Sequence, residues 1–252
     1  ARFPALRSGG VDLLSRNTTW TVGREAGLKL LFAGVLFYDG QAFLVPAKGG
    51  AKTVAALKGA TVCVEKGTAS VQHLADASAE RGLGIRQMVI DSYADTADAF
   101  FAGKCQAFAS DAAQLAAARL RGPGGPHAFV ILPERISREP VGPAVRQGDD
   151  DWFTLVRWVL FALIGAEDGG VTRENVRERT RDPLIQRSLE ASAKFGTALG
   201  TDANWAIRAV QSAGNYGEMF ERNIGRDSPL KIERGLNRPW TQGGLMYAPT
   251  LR

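Results

Sequence analysis

The chain has 252 residues, 45% hydrophobic and 23% charged, which supplies a buried core for one large domain or two small ones. Its 31 basic and 26 acidic side chains are interleaved rather than gathered into a stripe, so nucleic acid is not expected as a partner. The longest apolar run, Trp152–Ala166, is interrupted by Arg157 and is too short to span a bilayer.

In chain order, the pattern predicts strands at Val11–Ser15 and Gln41–Val45, then a short helix at Thr53–Leu57. A strand at Thr61–Glu65 leads to a helix at Ser70–Arg81, and a strand at Gln87–Ile90 leads to a helix at Tyr93–Ala102. The same order repeats at Gln106–Ala109 and Ala112–Arg121. The loop Gly122-Pro123-Gly124-Gly125-Pro126 separates that helix from a strand at Phe129–Leu132, and Pro143–Arg146 is a further strand. Helices are then predicted at Asp150–Glu167, Thr172–Thr180, Leu184–Lys194 and Ala203–Ser212. Asp149-Asp150-Asp151 can cap the first of these, and Gly169-Gly170 ends it. Its apolar residues lie on nearly every side, so deep burial is expected.

The alternation of strand and helix predicts an α/β fold with parallel sheet. Two strand-like crossings, Gln41–Lys48 and Glu139–Arg146, frame a self-contained unit, and the flanking segments form a second. Such nesting predicts a hinge with a cleft. Ligands of open α/β sheets bind beyond the carboxyl ends of strands.

Three segments carry polar chemistry at such ends. Arg16-Asn17-Thr18-Thr19-Trp20-Thr21-Val22-Gly23-Arg24-Glu25 offers hydroxyls, an amide and two guanidinium groups, suited to a carboxylate or to an ordinary polar turn. Glu65-Lys66-Gly67-Thr68-Ala69-Ser70 offers a glycine turn and a helix start with unpaired N–H groups; Thr68 or Ser70 can equally cap that helix. It lacks the spaced glycines and Lys-Ser/Thr of a nucleoside triphosphate loop. Asp111 ends one strand pattern and begins a helix, where a carboxylate suits either an ammonium group or an N-cap.

Catalytic and metal combinations are poor. His73 sits inside a helical pattern and His127 comes after the Gly/Pro loop, neither with the neighbours of a triad or a metal site. No dinucleotide fingerprint comes after a strand, so no cofactor is expected. The two cysteines, Cys63 and Cys105, lie in strand-like runs. They are either bridged, if the strands are neighbours, or two buried thiols.

Longer motifs carry a resemblance. Leu13–Thr21, Tyr38–Phe43, Ile131–Glu134, Glu139–Asp150, Gly214–Gly225, Ser228–Leu230 and Arg234–Asn237 together resemble the periplasmic substrate-binding proteins of polar and general L-amino-acid ABC transporters. The resemblance covers essentially the whole chain. It implies the two-lobed type II periplasmic-binding-protein fold, with lobe one at 1–45 plus 141–252, an inserted lobe two at 46–140, and hinges near 43–48 and 139–146. It further implies that Arg24 clamps a ligand carboxylate and that Asn17 and Thr19 meet its amino and carboxylate groups. Thr68 and Ala69 would donate from the lobe-two turn, Ala69 through its N–H alone, and Asp111 would pair with the α-ammonium. A Cys63–Cys105 bridge is implied as well, which belongs to an oxidising compartment such as the periplasm.

The same resemblance places Ala1–Leu6 in the middle of a lobe-one helix, so an N-terminally truncated chain with lobe one incomplete is expected. Self-association could then complete it. No signal peptide is visible, which fits removal or absence of one. The function expected is capture of L-amino acids and their delivery to a membrane permease, with no reaction. Three alternatives stand beside it: a periplasmic dehydratase of an amino-acid-like substrate on the same scaffold, a sensor module, and a truncated form without binding activity. The first would need an acid or base beside the clamp, and the matching segments offer none.

Overall fold

The structure, a computed structural model, describes residues 2–251. Helix α1 (Arg2–Arg7) leads to a wide π-type turn at Gly23–Gly27 and to strands β1 (Leu30–Phe32) and β2 (Phe37–Asp39). Next come β3 (Gln41–Pro46), β4 (Thr61–Glu65), α2 (Ala69–Glu80), β5 (Arg86–Ile90), α3 (Tyr93–Phe101), β6 (Ala107–Asp111), α4 (Ala112–Arg121) and β7 (Phe129–Ile131). Strands β8 (Glu139–Val141) and β9 (Ala144–Arg146) precede α5 (Asp150–Asp168), α6 (Val176–Arg179), α7 (Pro183–Lys194), α8 (Trp205–Ala213) and α9 (Tyr216–Asn223). Two units result: one holds the chain up to Tyr38 and again from Pro140, the other Asp39–Glu139.

The Asp39–Glu139 unit is built on one five-stranded sheet in the order β5-β4-β6-β3-β7. Strand β4 runs parallel to β5 and β6, whereas β3 runs antiparallel to β6 and β7, so the sheet is mixed rather than wholly parallel. Period-two alternation sorts its side chains. Phe43, Val45, Val62, Val64, Ala107 and Ala109 join Leu74 of α2 and Leu57 on one face. Ala42, Leu44, Cys63 and Phe108 join Phe100 of α3 and Leu115 of α4 on the other. Both faces are covered, which explains why these strands read as continuous apolar runs. Cys63 and Cys105 form a disulfide on the second face, with Cα atoms 5.7 Å apart.

The other unit is stitched from shorter pieces. Strand β1 pairs with β9, β2 pairs with β8, and Leu30, Phe32, Leu6, Leu14 and Ala144 form a small core. Val11–Ser15, expected as a strand, forms only an isolated bridge from Leu14 to Ala144. Val11 and Leu13 are left 40% and 38% exposed, because no further strand among the described residues lies beside them to extend a ladder. Helix α5 is capped by the Asp149 carboxylate, which accepts from the Trp152 N–H at 2.9 Å. Its deep burial holds for Leu160 and Ala162–Ile164 alone. Its first half is half-buried, and an apolar groove runs between Trp152, Leu155, Val156 and Val159 on this helix and Leu13 and Trp205.

Two further expectations are corrected. The strand Gln41–Pro46 is no crossing: it lies inside the second unit's sheet, paired on both sides, and the chain leaves the first unit after Tyr38. The helix expected at Thr172–Thr180 shrinks to α6. Thr172 and Asn175 bond each other's backbone N–H groups through their side chains, and this local turn displaces the first helical turn. No helix of the described residues is long and apolar enough to cross a membrane.

Candidate functional site

In the first unit the hydroxyl-rich segment leaves Leu14, makes an isolated bridge from Thr19 to Val141, and turns at Gly23–Gly27. Arg24 folds back over this turn. Its Nη1 donates to the Thr19 carbonyl at 2.6 Å, and its guanidinium carbon lies 5.3 Å from the Phe3 ring centroid. Asn17 is held from α1, its carbonyl accepting from Arg2 Nη1 at 2.6 Å. Thr18 and Thr19 are buried, and the Thr18 hydroxyl has no hydrogen-bond partner among the described residues. Trp20 stacks on Phe32 with centroids 5.5 Å apart and donates its indole N–H to Glu25 at 2.7 Å. Asn17, Thr19 and Arg24 are thus brought into one turn, with the guanidinium already oriented by a backbone acceptor.

In the second unit the topology supplies the adjacency. Strands β4 and β6 are parallel neighbours, with Val64 opposite Ala109, so the turn after β4 and the helix start after β6 lie at the same, carboxyl-terminal end of these strands. After β4 the chain turns at Gly67, whose φ of +72° is left-handed and suits a residue without a Cβ. Thr68 then occupies the N-cap position of α2, but its hydroxyl donates to the Glu65 carbonyl at 2.8 Å and makes no cap bond. The helix therefore presents its first N–H groups, Ala69 among them, without a side-chain cap. Ser70, the other expected cap, is buried within the first turn.

Asp111 stands at the end of β6, at the N-cap position of α4, and makes no side-chain cap bond there. Capping is supplied by a residue the sequence did not single out. Asp39 accepts from the Gly40 N–H at 2.8 Å and from the Ala113 N–H at 3.1 Å. Burial pushes the Asp39 carboxyl above the usual carboxylate range, with these bonds and the Arg135 charge opposing the rise. Gln41, opposite Asp111 in the β3–β6 ladder, is fully buried and donates from Nε2 to the Ser70 carbonyl at 3.2 Å. Its Oε1 has no partner among the described residues. Both Asp39 and Gln41 act over long sequence separations, which no local pattern reveals.

His73 lies elsewhere, with Nδ1 3.0 Å from Oε1 of the buried Glu139, and the Ser137 hydroxyl donates to that oxygen at 2.6 Å. Among the described residues no group of three His, Cys, Asp or Glu side chains is placed to hold a metal ion. The donors and acceptors brought together are suited to holding charged groups: N–H donors and a carboxylate at the carboxyl ends of neighbouring strands, and a guanidinium beside hydroxyls in the other unit.

No family model matches the chain. Whole-chain relatives are nevertheless clear. It is 46% identical over 255 residues to the general L-amino acid-binding periplasmic protein AapJ of Rhizobium johnstonii, covering 100% of this chain and 74% of that protein. It is 44% identical over 254 residues to the glutamate/glutamine/aspartate/asparagine-binding protein BztA of Rhodobacter capsulatus, covering 100% and 75%. Among solved structures, a periplasmic binding protein of an ABC transporter from Brucella ovis, with glutathione bound, superposes with a TM-score of 0.95 at 44% identity, covering 100% of this chain and 80% of that one. The fold is the type II periplasmic-binding-protein fold. The chain belongs to the family of amino-acid-binding proteins of ABC transporters, and these relatives are named as binding proteins.

Proposed function

We propose that this chain captures L-amino acids in the periplasm and delivers them to the membrane permease of an ABC transporter, without chemical turnover. Within the first unit Arg24 holds the α-carboxylate, with Asn17 and Thr19 supplying further polar contacts. Within the second unit Thr68 and the Ala69 N–H donate to the carboxylate, and Asp111 takes the α-ammonium. The observation that carries this reading is the adjacent carboxyl ends of β4 and β6, where helix N–H groups without a side-chain cap and a carboxylate stand on neighbouring strands. A zwitterion needs that pairing of donors and acceptor. The Cys63–Cys105 bridge supports an oxidising compartment.

Thermal melting against the twenty L-amino acids tests the proposal. A ligand at 100 times its Kd should stabilise the chain by about 2.7 kcal/mol. No shift with any of them overturns it. Calorimetry on Arg24→Ala should show a loss of about 2–5 kcal/mol in binding, because the ligand carboxylate loses its counter-charge. Asp111→Asn should weaken affinity while leaving stability nearly unchanged.

A further inference from the structure

Arg157 is the one charge within the apolar run Trp152–Ala166, and amino-acid capture by Arg24 and Asp111 does not use it. It is half-buried on α5. Its Nε donates to the Ala33 carbonyl at 3.3 Å, and its guanidinium lies 4.0 Å from the Phe153 ring centroid. Neither terminal nitrogen has an acceptor, and no carboxylate pairs with it, among the described residues. A half-buried guanidinium without a counter-ion is an unusual expense in an apolar helix.

Arg157 lines a cavity of about 400 Å³ lying wholly within the first unit. Trp20, Tyr38, Phe161 and Tyr247 supply aromatic walls, and Met246 adds a polarizable apolar surface. The Tyr38 phenol oxygen has no hydrogen-bond partner among the described residues. The volume lies in the range of small-molecule sites, and an apolar wall with one or two placed polar groups is their usual composition. Asn17, Thr19 and Arg24 do not line it.

We propose that this cavity is a second small-molecule site, taking an aryl carboxylate whose anion pairs with Arg157 and whose ring packs among Trp20, Phe161 and Tyr247. The site does not depend on amino-acid capture by Arg24 and Asp111. Phenylacetate is the probe, measured by calorimetry on the unmodified chain, with 2-phenylethanol as the neutral counterpart and acetate as the anion without a ring. Phenylacetate should bind saturably, and each counterpart about tenfold or more weakly, as expected for loss of a charge-assisted bond or of the apolar contact. Arg157→Gln should weaken phenylacetate about tenfold, and Tyr247→Ala, at an exposed position, severalfold. Arg24→Ala should leave phenylacetate binding unchanged.

Several results overturn the proposal. Absence of saturable phenylacetate binding to the folded chain does so, as does equal binding of 2-phenylethanol. Unchanged affinity in a folded Arg157→Gln variant has the same force. Loss of phenylacetate binding in Arg24→Ala would place the probe in the amino-acid site instead. Absent binding of phenylacetate, or equal binding of 2-phenylethanol, on the unmodified chain overturns the proposal even where a variant fails to fold.

Discussion

In the Asp39–Glu139 unit five strands share one sheet, and alternate residues of β3, β4 and β6 reach a core on either face. In the other unit the strands are three residues long and form two separate pairs, while the apolar side chains fall into smaller clusters around β1, α5, α8 and α9. The fastenings differ accordingly. One covalent bond, Cys63–Cys105, ties β4 to the segment just before β6. In the other unit a bidentate ion pair ties the C-terminal tail to α5: Arg234 donates to both Glu167 carboxylate oxygens, at 2.9 and 3.0 Å. Asn237 also grips both backbone groups of Tyr38, accepting at 2.7 Å and donating at 3.1 Å. A continuous sheet makes its core from local alternation, whereas the helical unit depends on polar contacts between segments far apart in sequence.

The largest expected effect tests the covalent fastening. The bridge closes a loop across a sequence separation of 42 residues. By the chain-entropy relation its loss costs about 4 kcal/mol. Urea unfolding of Cys63→Ala/Cys105→Ala should show that loss, and hydrogen exchange should place it in β4 and β6 with β1 and β9 unaffected. Equal loosening of both units would mean that they do not open separately, and the contrast between them would fail.

The ion pair comes next. Glu167 and Arg234 are 15% and 14% exposed, and the Arg234 guanidinium lies 5.3 and 4.9 Å from the Tyr216 and Phe220 ring centroids. Arg234→Met keeps most of the volume but leaves Glu167 unpaired, at a cost of about 3 kcal/mol. Pairing it with Glu167→Gln should recover part of the loss in thermal melts. A single variant as stable as the parent would show that packing on the two rings, not the charge, holds the tail.

The same contrast governs what the sequence disclosed. Helix α4 falls at Ala112–Arg121 as expected, and β4 at Thr61–Glu65, because alternation and the Gly/Pro loop at 122–126 mark their limits. In the other unit β1 and β2 went unseen, being too short for a periodic signal. Val11–Ser15 has strand-like residues, yet pairing is a property of neighbours, and only Leu14 finds one. The site divides in the same way. Arg24 and Thr19 are close in sequence, so their turn was legible. The nearness of Thr68 to Asp111's strand end depends on the β4–β6 pairing, and the cap from Asp39 to Ala113 spans 74 positions. Neither leaves a local trace.

A smaller effect concerns α9, which sequence periodicity missed although Asn215-Tyr216-Gly217-Glu218 carries the capping signal. Asn215 Oδ1 accepts from the Glu218 N–H at 2.9 Å, and Glu218 returns a bond from the Asn215 N–H at 2.8 Å. Asn215 Nδ2 also donates to the Val171 carbonyl at 2.8 Å, linking α9 to the end of α5. Asn215→Ala should cost about 1–2 kcal/mol in urea unfolding. A loss confined to a few tenths would show that the long-range bond contributes little, which would weaken the case for polar fastening of this unit.

The smallest effect carries a sign, and it puts polar fastening to the test inside the sheet unit. Burial raises the Asp39 carboxyl above its ordinary value of 3.8, and the bonds from Gly40 and Ala113 only partly offset it. The folded chain therefore holds this proton more tightly than the unfolded chain. Its contribution to stability is full below the ordinary value and is lost as pH rises through the folded one. That is opposite to a carboxylate whose folded-state bonds dominate. Asp39→Asn removes the titration while keeping one acceptor for the backbone donors. The stability of the parent minus that of Asp39→Asn should then grow as pH is lowered from neutral into the carboxylate range, measured by urea midpoints at matched ionic strength. If the difference shrinks instead, the charged cap on α4 outweighs the cost of burying it, and the sheet unit too would depend on an ionic fastening.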